Sequence, residues 1–104
     1  MGKILVVDDE PSFRLMLERL LRAAGHTVEV ATDGHACLKM FRASPFDLVI
    51  MDMFMPNKEG LETIIELRKE FPHVAVVAMT GRSEFKVVLQ AAKELGAVRK
   101  LAGC

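Results

Sequence analysis

Asp8 and Asp9 stand side by side at the end of an apolar run, residues 4–7. A third acid, Asp52, closes another apolar run, and Thr80-Gly81 closes a further one. Adjacent carboxylates disfavour one another, and keeping both ionised calls for a cation or good solvation. Brought together, these carboxylates and the hydroxyl form the hard-oxygen setting that suits Mg²⁺. That ion takes octahedral oxygen ligands, uses one or two carboxylates and keeps its other positions for water and a phosphoryl oxygen. Calcium fits less well, because the EF-hand spacing of oxygen ligands is absent. Asp52 suits either of two roles, metal ligand or nucleophile. A carboxylate can attack phosphorus to give an aspartyl-phosphate, with a neighbouring Mg²⁺ neutralising charge on the transferring group. Thr80 offers an O–H donor to a phosphoryl oxygen, and Gly81 leaves room for a phosphate to enter.

Such a site needs elements that carry its residues to one place. β-rich apolar runs occupy residues 3–8, 27–31, 47–52 and 74–79, and segments of helical period alternate with them. Phe13, Met16, Leu17, Leu20, Leu21 and Ala24 step by three and four, giving one apolar stripe, with Pro11 at the start and Gly25 at the stop. A second helix is predicted over 34–43, capped by Asp33 and ended by Ser44-Pro45. A third, over 60–71, carries Leu61, Ile64, Ile65 and Leu67 and ends at Pro72. A fourth follows Ser83, with Phe85, Val88, Leu89 and Ala92 on one face, and stops at Gly96. Alternating helices and fully apolar strands predict an α/β fold with a parallel sheet covered on both faces. Right-handed crossovers then put the C-terminal ends of all strands on one edge, where open sheets bind ligands. Asp8, Asp9, Asp52 and Thr80 all belong to that edge.

The bulk composition excludes several alternatives. The 104 residues suffice for one domain, 1–104, with one core. Acids and bases balance at 14 each, so nothing pulls the chain toward nucleic acid or an anionic membrane. No run is long enough to span a bilayer, and the N-terminus has no signal-peptide pattern. Cys37 and Cys104 match no metal or redox spacing and read as free thiols of a reducing, cytoplasmic compartment. The histidines, at 26, 35 and 73, are not placed with the acids.

At these same residues the chain resembles the receiver domain of two-component response regulators. The matches are "ILVVDDE", "DLVIMDMFMPNKEG" and "VVAMTGRS", followed by a helix ending in "LGA". The spacing D-x-x-M-P-x-x-x-G from Asp52 to Gly60, preceded by a paired acid, is specific, and the resemblance runs from residue 3 to about residue 102. It implies a flavodoxin-like three-layer sandwich with strand order 2-1-3-4-5. It also implies Asp52 as phosphoacceptor, Asp8 and Asp9 as the pair holding Mg²⁺, the Phe54 backbone carbonyl as a further metal ligand, and Thr80 as the switch hydroxyl. A sensor histidine kinase or phosphotransfer protein would be the donor, a downstream protein the target, and the chain a switch more than an enzyme.

Two departures from the family stand out. Receivers carry a lysine, in a K-P motif, that pairs with the phosphoryl group; here that position is Gly103, followed by Cys104. Lys100 lies three residues earlier, and strand alternation points it to the opposite side. The fifth strand is therefore expected to be short and the fifth helix missing, a receiver shortened at its C-terminus. Uncovering the face of the first helix would expose four or five large apolar side chains, at roughly 1.5–3 kcal/mol each. That sum rivals the whole stability of a small domain, about 5–15 kcal/mol. Self-association, including a domain-swapped dimer, is the expected remedy.

Other classes fit less well. A phosphohydrolase of the haloacid dehalogenase type needs an acid two residues after the nucleophile, where Phe54 stands. A nucleotide-binding domain needs a Gly-rich turn after the first strand, where Asp8-Asp9-Glu10-Pro11 stands. The serious rival is a receiver-like interaction module that is never phosphorylated; the missing lysine supports it and the intact acids oppose it.

Overall fold

A computed structural model of the chain describes residues 2–53, 60–79, 86, 87 and 90–95. Its elements run β1 (Lys3–Val7), α1 (Pro11–Ala23), β2 (Thr27–Ala31), α2 (Gly34–Ala43), β3 (Leu48–Asp52), α3 (Gly60–Glu70) and β4 (Val76–Met79). Residues 86, 87 and 90–95 are helical as well. All strand pairs are parallel, and the order is β2-β1-β3-β4, as expected for a flavodoxin-like fold. The expected fifth strand, with Lys100 and Gly103, lies outside the described residues.

Strand alternation divides the sheet between two cores. Ile4, Val6, Val28, Leu48, Ile50, Val77 and Met79 face α1, where Phe13, Leu17 and Leu21 meet them. Leu5, Val7, Ala31, Val49 and Met51 face α2 and α3 and pack on Cys37, Leu38, Phe41 and Leu67. β1 and β3 are the inner strands, which explains why they are almost unbroken apolar runs. Burial pushes the Cys37 thiol up to about 12, so this cysteine is a small core residue and not a reactive thiolate.

The caps follow local chemistry. Asp33 accepts from the Ala36 N–H at 2.8 Å and starts α2. Gly25, at φ 97°, ends α1: its N–H donates to the Arg22 carbonyl, while His26 N–H reaches back to Leu21. At the far edge of the sheet Asp47 accepts from Lys3 N–H at 2.8 Å, fixing the entry of β3 beside β1.

The apolar stripes needed correction. In α1 only Phe13, Leu17 and Leu21, spaced by four, reach the core; Met16 and Leu20 lie on the flank and are half exposed. In α3 Leu67 is buried and Ile64 packs against the core, whereas Leu61 and Ile65 face outward. A sheet contacts a narrower arc of each helix than a full amphipathic stripe offers. In the last described helix, Val87, Ala91 and Leu95 are buried on the α1 side of the sheet and Ala92 is exposed; Phe85, Val88 and Leu89 lie outside the residues whose side chains are described. Part of the face expected to lie bare beside α1 is thus covered from within the chain. The first strand, the third and the fourth each begin or end one or two residues inside the predicted span, although single backbone bonds such as Asp8 N–H to the Ala31 carbonyl continue past their ends.

Leu17 is fully buried in the α1-side core. Leu17→Ala should lower stability by about 2–5 kcal/mol. Urea unfolding followed by circular dichroism should show this as a lower midpoint with unchanged slope.

Candidate functional site

β1 and β3 are hydrogen-bonded neighbours in the register Val7↔Met51. The next residue on each strand is an acid, Asp8 and Asp52, so the two carboxylates leave the sheet abreast. Asp9 follows at once and reaches solvent. Carboxylate oxygens of Asp8, Asp9 and Asp52 lie within 4.8 Å of one another, with Asp8 and Asp52 buried at 1% and 5% exposure. The expected convergence is therefore present for these three. Phe54 and Thr80 lie outside the described residues; Thr80 follows directly on Met79, which pairs with Asp52.

Contacts along the chain hold Asp8 and Asp52 in place. Asp8 N–H donates to the Ala31 carbonyl at 3.1 Å, extending the β1–β2 ladder by one residue. Its Oδ1 accepts from Glu10 N–H at 2.7 Å, a two-residue turn that bends the chain toward α1. Its carbonyl accepts from Arg14 Nη1 at 3.0 Å. Glu10 caps α1, its Oε2 accepting from Phe13 N–H at 2.6 Å, and Pro11 occupies the first turn. On the other side Met53 N–H donates to the Met79 carbonyl at 3.0 Å, which locks the Asp52–Met53 peptide to β4.

Sequence reasoning missed two of these parts. It named Pro11 at the start of α1 but not Glu10, which caps that helix. It also passed over Arg14, whose i+4 spacing from Glu10 was the available signal; it holds the carbonyl of Asp8 and brings a guanidinium to a strongly acidic corner.

Carboxylates this close disfavour being ionised together, and a cation joining them relieves that cost. All donors are hard oxygens, and one acid opens to water. The donor set thus fits a divalent ion that keeps part of its hydration shell, as Mg²⁺ does, better than Zn²⁺, for which nitrogen and sulfur ligands are absent among the three.

The model of the response regulator receiver domain matches residues 4–102. The chain belongs to that family. As a receiver domain it is a phosphoacceptor rather than a classical enzyme. Among its relatives is the transcriptional regulatory protein ZraR of Salmonella typhimurium, 37% identical over 90 residues, which are 86% of this chain and 20% of that protein. The receiver thus spans about a fifth of the length of that curated relative. Among solved structures, the response regulator TrrA of Thermotoga maritima in complex with Mg²⁺ and BeF is 30% identical with a TM-score of 0.81. That likeness covers 91% of this chain and 99% of that one. The complex of histidine kinase ThkA with TrrA matches at 40% identity and a TM-score of 0.74, over 80% of this chain and 72% of that one. Among the described residues of this receiver, no helix is long and apolar enough to cross a membrane.

The clustered charge should carry a measurable cost. Without divalent ions, Asp52→Asn should be more stable than the parent receiver by about 1–3 kcal/mol, since it removes repulsion in a partly dry site. Added Mg²⁺ should raise the parent's melting temperature and leave the variant nearly unmoved. Thermal unfolding in chelator and in millimolar Mg²⁺ measures both.

Proposed function

We propose that this receiver is a phosphoaspartate switch in a two-component phosphorelay. Asp52 is the phosphoacceptor. Asp8 and Asp9, with Asp52 and the Phe54 backbone carbonyl, hold Mg²⁺, and Thr80 supplies the switch hydroxyl. The observation that carries the reading is the meeting of Asp8, Asp9 and Asp52 within 4.8 Å at the C-terminal edge of a parallel sheet. The kinase partner of TrrA and the Mg²⁺ and BeF bound to it support the same assignment.

An Asp52 carboxylate oxygen attacks the phosphorus of a phosphohistidine on the donor. The new P–O bond forms as the P–N bond breaks, and the released imidazole takes its proton from water. In the return step a water oxygen attacks phosphorus, the Asp52 P–O bond breaks, and inorganic phosphate leaves. A bound Mg²⁺ supplies charge neutralisation for the phosphoryl oxygens. The chain contributes aim: β1 and β3 hold acceptor and metal ligands side by side, and burial of Asp52 limits competing water. Gly103, at the place of the family's lysine, withholds one cation from the phosphoryl group, which favours slow transfer and the rival reading as an unphosphorylated interaction module.

The downstream partner is a protein, and the setting cytoplasmic. The receiver also self-associates. Leu15, Met16 and Leu20 are exposed by 48%, 50% and 40% along α1, a larger apolar row than a short helix ordinarily shows to water. Exchange of elements between copies is a low-cost route to such a dimer.

Incubation with acetyl phosphate and Mg²⁺, read by intact mass, should add one phosphoryl group to the parent and none to Asp52→Asn. No gain in the parent leaves the interaction module. Light scattering at micromolar concentration should give a dimer mass that Leu20→Glu reduces toward the monomer; a compact, cooperatively folding parent monomer counts against self-association.

A further inference from the structure

Gly60 opens α3, is buried, and lies against the backbone of the residue that ends β3. A Cβ built on it would collide with the Asp52 carbonyl oxygen, 2.8 Å from the Met53 Cα and 3.1 Å from the Asp52 carbonyl carbon. All three are backbone atoms, so no side-chain rotation relieves the contact. The same peptide is tied on its other side, where Met53 N–H donates to Met79. The end of β3 is therefore gripped between β4 and the first residue of α3. Any side chain at residue 60 must push the Asp52–Met53 peptide or lift α3, and the peptide carries the Asp52 carboxylate.

We propose that Gly60 is a positioning residue for the acidic site: its missing Cβ lets α3 seat directly on the Asp52–Met53 peptide and sets the aim of the Asp52 carboxylate at Asp8 and Asp9. The inference rests on Asp52 as phosphoacceptor, and it concerns geometry that the family spacing alone does not explain. Gly60 is the first helical residue of α3, and glycine is a poor helix former, so helix propensity gives no reason for it here. Close backbone approach does.

The test uses the whole chain as Gly60→Ala and Gly60→Val, with Ile4→Val as control. Ile4 is buried at the opposite end of β1 from Asp8, and its truncation lowers stability by a modest amount without touching the site. Three properties are measured: unfolding midpoint, Mg²⁺ affinity by calorimetry, and the rate of phosphoryl gain from acetyl phosphate by intact mass. Gly60→Ala should fold, bind Mg²⁺ more weakly, and gain phosphate about tenfold to a hundredfold more slowly, the scale of a ~1 Å misplacement. Gly60→Val should lose more. Ile4→Val should keep parental Mg²⁺ affinity and rate despite its lower midpoint.

Gly60→Ala with parental Mg²⁺ affinity and rate overturns the proposal. So does an equal loss in Ile4→Val, which would make the effect one of general stability. If Gly60→Ala unfolds, the measurements are repeated in molar trimethylamine N-oxide, which favours compact states; failure to fold even there makes Gly60 a residue of the fold alone and also overturns the proposal. A parent that gains no phosphate defeats the phosphoacceptor reading instead, and Mg²⁺ affinity alone then decides the role of Gly60.

Discussion

The side-by-side, same-direction pairing of β1 with β3 is the constraint on which the rest of this molecule depends. Parallel pairing in the register Val7↔Met51 carries two acids, 44 positions apart in the chain, to the same edge. An antiparallel partner would send Asp52 to the opposite end. A slip of one residue would turn its side chain to the other face of the sheet. The apolar residues of both strands protect the register, because any shift would expose two cores at once.

That pairing stores an electrostatic cost inside a stable scaffold. Two of the three carboxylates are buried, and contacts along the chain fix where they sit: Asp8 through Ala31, Glu10 and Arg14, and Asp52 through the grip on its peptide. The site is thus preorganised before any ion arrives. A divalent cation bound there would find its ligands already assembled, and its binding free energy would return as stability.

The α1 side of the sheet shows how packing is completed in a small domain. Val87, Ala91 and Leu95 close over Ile4, Ile50 and Val77, while Leu15, Met16 and Leu20 remain outside. α1 is therefore two-faced, with one row spent on the core and another presented to the surroundings. The opposite layer is tied across helices by the Arg42–Glu70 pair and by Phe41 against Phe71, ring centroids 4.6 Å apart. The Arg42 guanidinium holds the Glu70 carboxyl below its ordinary value, but both side chains are exposed and the pair is screened by salt.

Much of this was legible in the order of residues. Fully apolar strands alternating with helical periods imply a parallel sheet, because only helices on both faces leave a strand with no polar side. Asp33, Pro11 and Gly25 marked helix ends through contacts within a few residues, which is why those boundaries held. The convergence of Asp8, Asp9 and Asp52 followed from topology, since all right-handed parallel units aim the same edge. Tertiary structure decided what depends on distances between segments. Which row of α1 meets the sheet is set by the narrow contact arc between helix and sheet, and periodicity offers a wider stripe than that arc can use. Glu10 as the cap and Arg14 on the Asp8 carbonyl depend on how the chain turns after β1. Gly60 closes the D-x-x-M-P-x-x-x-G pattern in the sequence, but why it must be glycine appears only when α3 is seen resting on the Asp52 peptide.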